Sequence, residues 1–136
     1  MRNDPKSKGE RSEGAVLAAL LQMGFPVLMP FGDNQRYDLV VDAHGRFIRV
    51  QCKTGCIRGG AIAFRTSSSY AHRGRGRRQY HGEADVFAVY CADLNKVFFV
   101  KVADTGSSMV RLRVDASKNG QKHGVRSAAD YEAWPF

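Results

Sequence analysis

The sequence predicts a single mixed α/β domain with a central sheet, and three observations lead to this prediction. Residues 8–23 carry apolar side chains at helical spacing. Short apolar or alternating runs, typical of strands, follow at 26–31, 37–42, 47–53, 84–91 and 96–102. The chain has 136 residues, 43% of them hydrophobic, which suits one core and therefore one domain over residues 1–136.

The predicted helix follows a polar stretch and ends at a glycine. Ser7 and Glu10 match the S-x-x-E capping box, so we expect residues 1–6 to form a frayed tail. Gly24 stands where a helix C-terminus favours a left-handed residue. Glu13 has no part in this cap and can point toward the sheet.

The remaining elements are shorter. Further strands are expected at 61–65 and 109–114. The spacing of Ser127 and Asp130 repeats the capping box and predicts a short C-terminal helix that runs toward Trp134.

The composition favours a polyanionic partner. Lys and Arg number 21 against 13 Asp and Glu, which gives a net charge of +8. Cations placed at phosphates release condensed counterions, so nucleic acid is the favoured partner, although ribosomal and membrane-surface proteins share such a balance. There is no apolar run of about 20 residues and no apolar signal region, so we expect a cytoplasmic protein without a membrane partner.

A basic loop is predicted over residues 66–82, as a mobile loop or a loop with a short helix. Four arginines lie within six residues of it, and a tyrosine flanks them on each side: Arg73, Arg75, Arg77 and Arg78, with Tyr70 and Tyr80. Guanidinium groups bind phosphate oxygens in pairs and tyrosine rings can stack on bases, which predicts a DNA-binding loop. The alternative is a solvated loop whose charge only aids solubility.

The three cysteines favour reduced thiols. Their number is odd, and no second pair follows Cys52 and Cys56 at zinc-site spacing. We therefore expect Cys52 and Cys91 to be small apolar residues on strands.

One set of residues has the chemistry of phosphodiester hydrolysis. Gln51 and Lys53 lie two apart on a predicted strand, so their side chains leave the same face. If this strand pairs with the preceding one across the turn at 43–46, Asp38 approaches Gln51. Carboxylate and amide oxygens can hold Mg²⁺, and a lysine beside the metal can orient the attacking water. The alternative is that these are ordinary polar residues on a half-exposed strand face.

A second carboxylate is available on the predicted helix. Glu13 would compensate for the neutral amide of Gln51, although Glu10, three residues earlier, remains an alternative.

Four motifs, taken in order, resemble the PD-(D/E)XK nuclease superfamily. They are K-G-x-x-x-E at 8–13, M-G-F at 23–25, Y-D-L-V at 37–40 and I-R-V-Q-C-K at 48–53. The first is similar to archaeal Holliday junction resolvases. The glutamine of the last motif, with the segments 80–90, 98–100 and 130–132, is more similar to the branch associated with group I intron homing endonucleases.

The resemblance covers about residues 7–102 and implies a restriction-endonuclease-like domain, a central mixed sheet flanked by helices. It also implies a metal-dependent DNA endonuclease that uses Mg²⁺, or Mn²⁺. The implied catalytic residues are Glu13, Asp38, Gln51 and Lys53, with Asp38 and Gln51 as metal ligands. Two positions depart from the pattern: Tyr37 stands in place of proline, and Gln51 in place of an acid.

Several functions remain open at this point. They are a homing-type endonuclease, a Holliday junction resolvase, a DNA-binding module with a degenerate site, and an RNA-binding protein without an active centre. Cleavage of both strands of double-stranded DNA needs two active sites, so we expect a homodimer or homotetramer.

Overall fold

The computed structural model describes residues 2–69, 77–106, 108–115 and 125–136. The helical elements of these ranges are α1 (Pro5–Gln22) and two 3₁₀ turns, Val102–Asp104 and Ala128–Tyr131. The strands are β1 (Val27–Leu28), β2 (Leu39–Ala43), β3 (Arg46–Arg58), β4 (Ala61–Arg65), β5 (Ser67–Ser69), β6 (Arg77–Gln79), β7 (Val86–Cys91), β8 (Lys96–Lys101), β9 (Met109–Arg113) and β10 (Arg126–Ser127).

Helix α1 begins earlier than the sequence suggested. The Asp4 side chain accepts a hydrogen bond from the Ser7 N–H at 3.0 Å, and Pro5 opens the helix. The predicted capping box of Ser7 and Glu10 is therefore wrong, and residues 5 and 6 of the expected frayed tail belong to the helix. An N-cap aspartate followed by proline is the stronger start signal, because proline has no N–H to satisfy in the first turn. Gly24 has φ of 87°, which confirms the predicted left-handed end.

The long strand β3 is the centre of the sheet, and three strands pair along it. Strand β2 pairs antiparallel with its first part, β7 runs parallel to its middle, and β4 pairs antiparallel with its last residues. Strand β8 extends the sheet beyond β7, and β9 extends it beyond β4. The prediction of a mixed α/β domain with a central mixed sheet is confirmed.

Apolar side chains cover both faces of this sheet. One face packs against Val16 and Leu20 of α1, and its buried set is Leu39, Val41, Ile48, Val50, Val86, Ala88 and Phe99. The opposite face carries Phe87 and packs against Ile62 and Phe64 of β4. At Gly55 a Cβ would lie 2.6 Å from the Ile62 Cγ2 atom, so only glycine allows this close approach.

The basic loop differs from its prediction. Strands β5 and β6 pair antiparallel within it, with Ser67 opposite Gln79. Their polar sequences lack the apolar alternation that marks a strand, because their pairing depends on backbone hydrogen bonds. Tyr70, Arg73 and Arg75 lie outside the described residues. For Arg77 and Arg78 only the backbone is described, so the predicted DNA contacts of these four arginines remain predictions.

The C-terminal segment closes the face that α1 covers. The expected helix after Ser127 is a 3₁₀ turn without a side-chain cap. Trp134 follows it and packs against Phe25 and Phe99, with ring centroids 4.9 and 5.4 Å apart. Over the described ranges, no helix is long and apolar enough to cross a membrane.

Candidate active site

Asp38 lies where β2 begins, and two backbone hydrogen bonds hold it there. Its own N–H donates to the Val50 carbonyl at 2.8 Å, which continues the antiparallel register and brings position 38 opposite Gln51. Its Oδ2 atom accepts the Cys52 N–H at 2.9 Å. The carboxylate is thus held against the middle of β3, as pairing across the turn at 43–46 predicted.

Glu13 reaches the same place from α1. Helix and strand are joined by the Ser12 and Thr54 hydroxyl groups, whose oxygens are 2.6 Å apart. Glu13 follows Ser12 in the helix, so this contact brings Glu13 close to β3, whereas the Lys53 side chain leaves the strand on the opposite face from Thr54. Glu13 and Asp38 line a common pocket of about 200 Å³.

Both carboxylates have a raised pKa. Burial raises the pKa of Asp38, and the Cys52 N–H and the Lys53 ammonium only partly offset it. Burial also raises the pKa of Glu13, and the charge of Asp38 raises it further. Within the described chain neither carboxylate forms an ion pair within 4 Å, so this pocket favours an added cation.

The Lys53 side chain lies on the face of β3 that α1 does not cover, and its charge acts on Asp38. Burial lowers the pKa of its ammonium to about 8, while the charge of Asp38 acts in the opposite direction. Its Nζ atom lies 4.7 Å from the centroid of the Tyr80 ring and 5.7 Å from that of Phe87. The aromatic rings hold the ammonium in a half-buried place.

The Tyr80 ring carries a second cation that the sequence analysis missed. The Arg36 guanidinium carbon lies 3.9 Å from the ring centroid. Arg36 Nε also pairs with Glu83 at 2.9 Å, and a guanidinium nitrogen donates to the Ser68 hydroxyl at 2.6 Å. No local pattern could reveal this group, because its members lie far apart along the chain.

Tyr80 itself corrects a prediction. It was expected to offer its ring to an exposed base, but it is only 4% exposed and packs edge-on against Phe87. Two cations and a core phenylalanine thus occupy the surroundings where a base would stack.

Gln51 lies on the same face as Lys53, as their spacing predicted. Its amide nitrogen donates a long hydrogen bond of 3.3 Å to the Cys52 carbonyl. Among residues that the structure describes, none donates to its amide oxygen. That oxygen is therefore available as a neutral ligand.

The donor set fits a hard divalent cation. Two partly buried carboxylates and an amide oxygen are ligands that Mg²⁺ prefers. Burial raises the pKa of the Cys52 thiol, which keeps it neutral and a poor ligand. No group of three or more His, Cys, Asp or Glu within the described ranges is arranged for a metal, so the site holds fewer protein acids than a dedicated cage.

The two helix glutamates differ in position. Glu10 lines a neighbouring pocket together with Glu13 and Leu39, but it does not line the pocket that contains Asp38. With its predicted capping role also absent, Glu10 is an exposed residue one turn away from the site.

Comparisons with known proteins agree with this geometry. A model of the PD-(D/E)XK endonuclease family matches residues 3–134. A solved structure, described as that of the bacterial homing endonuclease I-Ssp6803I, is 27% identical and superposes with a TM-score of 0.76. The match covers 95% of this chain and 88% of that one. No match was found among curated proteins. Because the family match spans nearly the whole chain, the protein belongs to the PD-(D/E)XK endonuclease family.

Proposed function

We propose that this endonuclease hydrolyses phosphodiester bonds of double-stranded DNA with a divalent metal, Mg²⁺ or Mn²⁺, in the manner of a homing endonuclease. The observation that supports the proposal is that Glu13 and Asp38 line one pocket at the start of β2 and form no ion pair with any described residue. The half-buried ammonium of Lys53 lies near enough to Asp38 for the two charges to interact. The fold of I-Ssp6803I supports the homing type.

Each of these residues has a distinct role in the proposal. Asp38 and the Gln51 amide oxygen would hold the metal, and Glu13 adds negative charge at the pocket wall. A metal held there would supply charge neutralisation at the scissile phosphate and a more acidic water. The Lys53 ammonium donates a hydrogen bond to the attacking water or to a phosphate oxygen, which stabilises the charge that develops as the P–O bond breaks.

The half-buried position of Lys53 strengthens this role. Solvent screens its charge less than it screens a surface lysine, so its effect on a nearby phosphate is larger. Tyr80 limits the positions that the ammonium can take, since the ring attracts it from one side.

The DNA partner and the assembly follow from charge and from the reaction. The net charge of +8 favours a polyanion, and Arg73, Arg75, Arg77 and Arg78 of the basic loop are the proposed phosphate contacts. A single set of Glu13, Asp38, Gln51 and Lys53 cuts one strand at a time. A homodimer or homotetramer would supply a second set.

A second candidate is a DNA-binding module that has lost activity. Gln51 favours it, because an amide brings no charge to the metal. The site then depends on Asp38, Glu13 and the scissile phosphate for compensation, and metal binding should be weak without DNA.

Cleavage assays separate these functions. Purified protein is incubated with supercoiled plasmid, a cruciform DNA and a random duplex library, with Mg²⁺, with Mn²⁺ or with chelator. Metal-dependent cutting of duplex DNA supports the proposal, and preferential cutting of the cruciform indicates a resolvase.

The Gln51→Glu variant makes this test sharper. The negative charge that this substitution adds to the site should tighten Mg²⁺ binding to the free protein, which calorimetry measures. If wild type never cuts and Gln51→Glu does, the chain is a DNA-binding module with a degenerate site. If neither cuts nor binds Mg²⁺, the enzymatic proposal is wrong.

A further inference from the structure

The segment between β1 and β2 displays apolar side chains beside the candidate active site. Phe31 is fully exposed and Met29 is 62% exposed. A single exposed apolar side chain is ordinary, whereas exposed apolar side chains grouped beside a polar pocket are typical of a ligand-binding surface. This segment therefore marks a contact surface.

The position of Phe31 relates it to the pocket. Its neighbours Pro30 and Gly32 both line the pocket that contains Glu13 and Asp38, whereas Phe31 itself does not line it. Gly32 has φ of 85°, a conformation that glycine adopts without strain. The turn thus presents the ring outward from the rim.

Two occupants are conceivable for such a ring, a second protein chain and the DNA duplex. A protein seated on Phe31 would cover the rim of a pocket that has to remain open to a phosphate. A duplex whose phosphate enters that pocket brings its bases alongside the rim at the same time. The placement of Phe31 between two pocket residues therefore favours DNA.

We propose that Phe31, supported by Met29, is a wedge that enters the DNA duplex next to the scissile phosphate. Apolar side chains inserted at a base step unstack it and bend the duplex. The bend would turn the backbone toward Glu13 and Asp38. This inference rests on the proposed endonuclease function and adds a substrate-binding residue that makes no contact with the metal.

The experiment compares Phe31→Ala and Phe31→Trp with a matched control. Phe47→Ala removes another exposed phenylalanine, which is 60% exposed and lines none of the pockets that contain Glu13 or Asp38. The probe is a labelled duplex that the wild type selects from a random library in Ca²⁺. Affinity is measured by fluorescence anisotropy, and unstacked thymines by permanganate reactivity of the bound duplex.

The expected result is a loss of affinity of about tenfold or more for Phe31→Ala, since stacking of a base on an aromatic ring carries an energy of that order. Permanganate reactivity near the cut should disappear in this variant and persist in Phe31→Trp and Phe47→Ala. Thermal unfolding should be unchanged, because the ring has no buried area to lose.

Three results would overturn the wedge. Phe31→Ala could bind and cut as the wild type does, it could lose no more affinity than Phe47→Ala, or it could dissociate into smaller species in sedimentation while DNA affinity stays the same. The last would assign Phe31 to a protein interface. Metal-dependent cleavage by wild type, measured in the same series, shows whether the endonuclease function survives when the wedge fails.

Discussion

Asp38 and Asp85 occupy corresponding positions on two sides of β3, but their electrostatic surroundings are opposite. Each carboxylate accepts a backbone N–H of that strand, Asp38 from Cys52 at 2.9 Å and Asp85 from Arg49 at 2.8 Å. Asp85 also pairs with the Arg49 guanidinium through two bonds of 3.1 and 3.0 Å. Asp38 has no such partner among the described residues.

Because of this difference, the pKa values of Asp38 and Asp85 are shifted in opposite directions. The Arg49 side chain, which binds both oxygens of Asp85, lowers the pKa of that carboxyl. Burial raises the pKa of Asp38 instead. The fold thus neutralises Asp85 internally, whereas Asp38 has no ion-pair partner within 4 Å among the described residues, as expected of the proposed metal ligand.

The largest effect should come from exchanging these two carboxylates for amides. Asp38→Asn should lower metal-dependent cleavage by at least about a hundredfold, because the proposed metal site would lose its charged ligand. Its unfolding free energy at neutral pH should not fall, since the amide oxygen can still accept the Cys52 N–H. Asp85→Asn should show the reverse pattern, with cleavage retained at low temperature and stability reduced by about 1 kcal/mol. Equal cleavage by the two variants would remove the distinction.

The next effect concerns Lys53. Lys53→Met should abolish detectable cleavage and leave DNA affinity within about twofold, because the ammonium acts on the reaction and not on docking. The variant should also be more stable than wild type at pH 7, since burial of the ammonium opposes folding.

The stability of Lys53→Met has a defined pH dependence. The pKa of Lys53 is about 8 in the folded state against 10.5 for an ordinary lysine. Between these values the unfolded chain binds more protons, so wild type gains stability as pH rises, and its deficit relative to the variant shrinks. Denaturant unfolding at pH 7 and pH 10 measures this. A constant difference would show that Lys53 is not buried as a charge.

A smaller effect is expected when the two helix glutamates are compared. Glu13→Gln should reduce cleavage about tenfold or more, since it removes the second negative charge of the pocket. Glu10→Gln is the matched control, because it is exposed and outside that pocket, and it should cleave as wild type does. Single-turnover cleavage rates, measured at saturating enzyme for wild type and both variants, test this difference. Loss of activity in Glu10→Gln alone would assign the helix role to the other glutamate.

The smallest effect is the acid dependence of stability that Asp85 contributes. The pKa of Asp85 is lower in the folded protein than in the unfolded chain. Its ionised form therefore stabilises the fold above the pKa of an ordinary aspartate, and this stabilisation is lost as the pH falls through the pKa of the folded state. Wild type should therefore lose its advantage over Asp85→Asn, about 1 kcal/mol at pH 7, when both are unfolded near pH 2. An advantage that persists at pH 2 would mean that Asp85 acts through packing and not through charge.

The sequence by itself determined the parts that depend on local periodicity. Alternation at residues 47–53 predicted that Gln51 and Lys53 share a face, and Gly24 predicted where α1 ends, because both follow from backbone geometry within a few residues. The order of motifs indicated the family before any contact was known. Charge balance pointed to a polyanion.

Only the tertiary structure decided which neighbours each of these groups has. It paired Asp85 with Arg49 and left Asp38 beside Glu13, it buried Tyr80 between Lys53 and Arg36, and it exposed Phe31. Burial and charge pairing arise between residues that lie far apart in the chain, and no local spacing contains them. Since these same factors set the pKa of each carboxylate, the sequence could suggest the reacting groups but not their electrostatic state.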